Sequence, residues 1–171
     1  QAWTIQLQGI IPLQVSGVGG HFNPAHVDSL VAVLARSAEN EDGCSPFSER
    51  FDGAVVLARR GNCFFQVKAT NAEDAGALAL IVYNDDRPAI ESMEGVEELV
   101  PPRIPTIFIH ADKGEALSRH VGSRARMAKV SQDGLEIARP LESKVVFHCN
   151  EEFHTRTSMC QSGDTVDVKL W

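Results

Sequence analysis

The stretch from Gly53 to Asn84 constrains this chain more than any other. Gly53-Ala54-Val55-Val56-Leu57-Ala58 is a short apolar run without polar alternation, as expected of a strand buried on both faces. Arg59-Arg60-Gly61-Asn62-Cys63 interrupts it. The spacing then changes to three and four, with Phe65, Ala69, Ala72 and Gly76 on one stripe and Phe64, Val67 and Ala75 beside them. This spacing predicts an amphipathic helix, capped at its start by Asn62 or Gly61 and closed by Gly76 in the left-handed conformation. Ala77 to Tyr83 is a second buried strand, stopped by Asn84-Asp85-Asp86. Strand, helix and strand in so short a span make a βαβ unit with parallel strands and a right-handed crossover.

The flanks add sheet. The first fifteen residues, Gln1 to Val15, read as strand, since Thr4-Ile5-Gln6-Leu7-Gln8 alternates with period two, and Ser16-Gly17-Val18-Gly19-Gly20 reads as the break after it. Those glycines do not complete a dinucleotide-binding G-x-G-x-x-G, because Phe22 stands where the third is required. Ser29 to Ala35 is a further apolar run, and Ile104 to Ile109 a third buried strand. Asp112 to His120 is predicted helical with Asp112 as cap, and Ala125 to Val130 is an edge strand carrying Arg126 and Lys129. Lys144 to Cys149 and Thr165 to Trp171 are two more strand candidates. The acidic, proline-broken segment Asp85 to Arg103 is expected to be a mobile loop. The expected class is α+β, mainly β, as a single domain over residues 1–171.

Charge and composition exclude several functions. Sixteen Lys and Arg stand against 23 Asp and Glu, so a general grip on nucleic acid or an anionic membrane surface is not expected. The longest apolar run, Ala75 to Tyr83, has nine residues, half of the roughly 18 that a spanning helix needs, so direct membrane insertion is not expected either. None of the six Asn residues begins an Asn-x-Ser/Thr sequon. A chain that starts at Gln1 is read as a mature form or as part of a longer chain. There is no G-x-S-x-G, no H-E-x-x-H and no Ser-x-x-Lys at a helix start, while His110-Ala111-Asp112 and Asp85-Asp86 are more simply a strand end and a turn. The chain is therefore expected not to be an enzyme and to need no cofactor. Arg119, His120, Arg124, Arg126 and Lys129 form one basic cluster opposite the acidic loop, read as solvated faces in preference to a charged groove.

The order of these features resembles the protease-associated (PA) domain family. The residues that carry the resemblance are Cys44, the strand from Gly53, R-G-N-C-F-F at Arg60 to Phe65, Lys68, Ala72, Ala75-Gly76-Ala77, Ile81-Val82-Tyr83-Asn84 and Ile104-Pro105. It is ordered from Cys44 to Val130 and weak over Ser131 to Trp171. The resemblance implies a β-sandwich or open β-barrel with a few helices and no catalytic residues of its own. It implies an accessory module of secreted or lumenal proteins that binds a peptide or protein ligand. By the same analogy the ligand contacts fall on Arg60, Gly61, Asn62 and Phe64. Alternative roles are shaping substrate access in a larger protease or a lumenal mannosidase-like glycosidase, or a structural and dimerising role.

Four cysteines are compatible with two bridges. With the family match, Cys44 is expected to pair with Cys63 and Cys149 with Cys160, each bridge contributing about 3 kcal/mol in the chain-entropy model. Oxidised pairing would place the chain in a secreted or lumenal compartment. Four buried thiols are the alternative. A zinc set from His148, Cys149, His154 and Cys160 is a weaker one, because adjacent strand residues point to opposite faces, so no metal is expected.

Overall fold

The computed structural model describes residues 1–9 and 12–131, all within the unit Gln1–Ala138. Their elements are β1 (Ala2–Leu7), β2 (Leu13–Gly19), β3 (Ser29–Ala35), β4 (Ala54–Arg59), α1 (Phe65–Asp74), β5 (Ala79–Tyr83), β6 (Thr106–Ile109), α2 (Ala111–Ser118) and β7 (Arg124–Lys129). The seven strands close into a ring in the order β1-β2-β6-β5-β4-β3-β7. The βαβ unit is β4-α1-β5, whose strands pair in parallel with Val55 opposite Ala79 and Leu57 opposite Ile81. β3 and β6 extend this parallel half on either side, and the pairings of β1, β2 and β7 are antiparallel. The expected mainly-β class with two short helices is observed, with the barrel closed.

Two apolar clusters account for the two kinds of strand pattern. One fills the ring with Trp3, Ile5, Leu34, Val55, Leu57, Ile81, Ile107 and Met127, and α2 adds Leu117. The other lies outside β4, β5 and β6, where Val56, Leu80, Val82 and Phe108 pack under Ala69 and Ala72 of α1 and against Phe22 and Met93. β4, β5 and β6 thus bury both faces and read as unbroken apolar runs, whereas β1 buries only Trp3, Ile5 and Leu7 and alternates. Each fully buried Leu or Ile contributes about 2 kcal/mol through burial.

α1 ends as its sequence predicts. Gly76 sits at φ +93°, its N–H donates to the Glu73 carbonyl at 2.8 Å and the Ala77 N–H donates to the Ala72 carbonyl at 3.0 Å, a Schellman closure. Its start differs. The cap position is Phe64, extended and without a side-chain cap bond, instead of Asn62 or Gly61. Asn62 adopts φ +65° and spends its amide on Asp42. The cap of α2 is likewise His110 and not Asp112, which falls in the first turn.

Three further expectations are corrected. The glycines after Val15 do not break the chain but lie in β2, because a Cβ on Gly17 would stand 2.5 Å from Ile107 Cγ2 and one on Gly19 2.6 Å from Trp3 Nε1. β7 is not an edge strand, since it pairs with both β1 and β3 and thereby closes the ring. The acidic segment after Asn84 is anchored at its middle, where Met93 is fully buried and bridges to Gly20, and where the Val96 N–H donates to the buried Gln66 side chain. The strand candidates Lys144 to Cys149 and Thr165 to Trp171 lie outside the described residues, as do Cys149 and Cys160.

Candidate functional site

The turn between β4 and α1 must reverse direction within a few residues while its first member stays in the sheet. Gly61 at φ +126° and Asn62 at φ +65° make that reversal, and only glycine takes the first of these angles without strain. A disulfide fixes the turn from below, joining Cys63 to Cys44 with the Cα atoms 5.7 Å apart. Asp42, two residues before Cys44, accepts the Cys44 N–H at 3.0 Å on one carboxylate oxygen and the Asn62 amide at 2.6 Å on the other. The Asn62 hydrogen bond is the main reason that the Asp42 carboxyl is held below its ordinary value.

Behind the turn lies Lys68, fully buried on the sheet side of α1. Its Nζ donates to the Asp42 carbonyl at 2.6 Å and to the Gly61 carbonyl at 2.7 Å, and stands 3.2 Å from Cys44 Sγ. One ammonium therefore holds both arms of the disulfide loop. Burial pushes its pKa down to about 8, against the attraction of Asp42. Lys68 of the unfolded chain binds its proton up to about pH 10.4. Between those values the unfolded state holds more protons than the folded one, so folding stability rises with pH. Tyr83, pushed up to about 12 chiefly by burial, acts with the opposite sign only above about pH 10. Chemical unfolding is expected to give higher stability at pH 9.5 than at pH 7.5, and Lys68→Met should flatten that rise. A slope that is unchanged in a folded Lys68→Met variant would show another group to be responsible.

In front of the turn is an open groove of about 420 Å³, lined by Arg60, Gly61, Asn62, Cys63, Phe64 and Arg87, with Phe65. Arg60 Nη1 donates to Asn84 Oδ1 at 2.9 Å and to the Pro88 carbonyl at 3.0 Å, and the guanidinium lies 5.9 Å from the Phe108 ring centroid. Its Nη2 makes no hydrogen bond among the described residues. Arg87 is held in a fork by Asp85, whose carboxyl it keeps well below the usual carboxylate range. Phe64 is 63% exposed, the most exposed aromatic ring of the described residues, while its neighbour Phe65 turns inward against Phe108. The groove thus offers an aromatic surface, a cation and a rigid backbone turn. Peptides are held by such combinations.

The structure brings Arg60, Gly61, Asn62 and Phe64 together along this one groove, with the Cys44–Cys63 bond at its floor. Sequence reasoning missed Arg87, which reaches the groove from the loop after β5, and the roles of Asp42 and Lys68. A signal for Lys68 was available: with Phe65, Ala69 and Ala72 it completes the apolar stripe of α1, where a cation has to be buried and paired. Two members of the basic cluster pair with acids: exposed Arg119 bonds Glu115 at 2.7 Å, and Lys129, only 12% exposed, bonds Asp28 at 2.9 Å and lies over the Trp3 ring.

The PA domain family model matches residues 28–117, more than half of the chain, and the chain belongs to that family. Signal peptide peptidase-like 3 from Arabidopsis thaliana is 33% identical over 119 residues, which are 68% of this chain and 22% of that protein. Vacuolar-sorting receptor 1 from Pisum sativum is 29% identical over 134 residues, 71% of this chain and 21% of the receptor. Among solved structures, a zinc aminopeptidase from Bacillus subtilis superposes with a TM-score of 0.59 at 23% identity, covering 75% of this chain and 30% of that one, a likeness of fold. The chain spans about a fifth of the length of these curated relatives. Among the described residues no helix is long and apolar enough to cross a membrane.

Proposed function

We propose that this domain is a non-catalytic module that holds an extended peptide or protein segment in the groove between Arg60 and Phe64. The observation that carries the reading is the pairing of an exposed aromatic ring with a turn immobilised by Lys68, Asp42 and the disulfide. A pre-ordered turn loses little entropy on binding, and Phe64 supplies the anchor. Arg60, with one amino group committed to Asn84 and Pro88, offers the other to a ligand carbonyl or carboxylate. The disulfide supports a secreted or lumenal location, where such bonds persist. The test is fluorescence anisotropy with labelled peptides selected on the wild-type chain from a random library. Phe64→Ala should weaken the selected peptides about tenfold, the loss of one aromatic anchor. Its melting temperature should not change, because the ring is mostly exposed. Equal binding by the variant would remove the groove from consideration.

A second reading is that the module shapes substrate access to a catalytic domain in the same chain. It is favoured by the peptidase name of one relative and by the small share of that relative which this chain spans. The coding sequence on either side of this segment decides between the two, since a peptidase motif there would favour the second.

A further inference from the structure

The floor of the groove is a disulfide whose two sulfurs sit in different surroundings. Cys63 lines the groove, and both cysteines are half-buried. Cys44 is not part of the groove lining, and its Sγ stands 3.2 Å from the Nζ of fully buried Lys68. The Gly61 carbonyl, also 3.2 Å from Cys44 Sγ, already accepts a hydrogen bond from that Nζ, so the cation touches both atoms. The remaining charges that act on Lys68 are Asp42, Arg87 and Asp85. Arg87 and Asp85 are forked together, and both oxygens of Asp42 are occupied by the Cys44 N–H and the Asn62 amide.

We infer that the Cys44–Cys63 bond is a thiol-exchange site open from the groove, at which Cys63 is the sulfur attacked and Cys44 the sulfur released beside Lys68. Attack on a disulfide proceeds through a mixed disulfide and is faster when the departing thiolate is stabilised. An incoming small-thiol thiolate forms a bond to Cys63 Sγ as the bond to Cys44 Sγ breaks, and the electron pair leaves on Cys44. The Lys68 ammonium is already in place to receive that charge. A second thiolate attacking the mixed disulfide frees Cys63. Over the two steps two thiols are oxidised to one disulfide, the protein disulfide is reduced, and the two protons of the incoming thiols end on Cys44 and Cys63. The inference concerns the bond and not the peptide, so it does not rest on what the groove binds.

The folded, oxidised chain is treated with reduced glutathione at pH 7, quenched with iodoacetamide and mapped by peptide mass spectrometry. Glutathione is expected on Cys63 and the alkyl group on Cys44. Glutathione on Cys44, an even split, or no reaction at a concentration that reduces the urea-unfolded chain would overturn the assignment. Lys68→Met, where it remains folded by circular dichroism, should slow formation of the mixed disulfide about tenfold. A folded variant that reacts at the wild-type rate would remove Lys68 from the mechanism. Should the variant not fold, the wild-type map alone decides.

Discussion

Gly114→Val is expected to cause a large loss of stability. Gly114 lies in α2, and a Cβ there would stand 2.1 Å from Tyr83 Cβ and 2.3 Å from Tyr83 Cγ. Tyr83 cannot swing away freely, because its ring hydroxyl donates to Glu41 at 2.7 Å and its backbone is paired with Arg59 and Ile109. The helix must therefore lift from the sheet, and lifting it withdraws Leu117 from the interior of the ring. Overpacking of this kind costs about 3 kcal/mol, and lost burial of Leu117 adds up to about 2 kcal/mol. The melting temperature should fall by roughly 10–15 °C in calorimetry. A shift of about 2 °C or less would mean that α2 is docked more loosely than its geometry implies.

Removing the disulfide by the double change Cys44→Ala and Cys63→Ala should cost about 3 kcal/mol, since the bond closes a loop 19 residues long in sequence. The loss should be local as well as global. Lys68 still ties Asp42 to Gly61, so β4, α1 and β5 should hold their amide protection while the turn at Gly61 to Phe64 loses it. Urea unfolding gives the first quantity and hydrogen exchange the second. Protection lost equally across β4 and β5 would show the bond to be holding the sheet and not only the turn.

The βαβ unit was legible because its signals are local. Two apolar runs of strand length, a change of spacing to three and four, and a glycine at the helix end all lie within neighbouring residues. The Arg60-to-Phe64 turn was legible for the same reason and through the family pattern. What was misread had distant causes. Gly17 and Gly19 looked like a chain break, and only the side chains of Ile107, Ile109 and Trp3 on the neighbouring strands β6 and β1, with the Phe108 carbonyl, explain their small size. Ala125 to Val130 looked like an edge because its two partners, β1 and β3, lie far from it in sequence. The acidic segment looked mobile because Met93 and Val96 are single residues in a polar stretch, and their sockets at Gly20 and Gln66 are formed by other elements.

By itself, the sequence determined the strands and helix of the βαβ unit, that β4 and β5 run in parallel, and that a glycine and cysteine turn precedes α1. Tertiary structure alone decided that the sheet closes, that Arg87 and Phe64 border one groove, and that Lys68 stands against a disulfide sulfur. The division follows from range. Backbone angles and burial periodicity are fixed by neighbours a few residues apart, whereas a groove wall or a buried ion's partners are set by residues that meet only after the ring has formed.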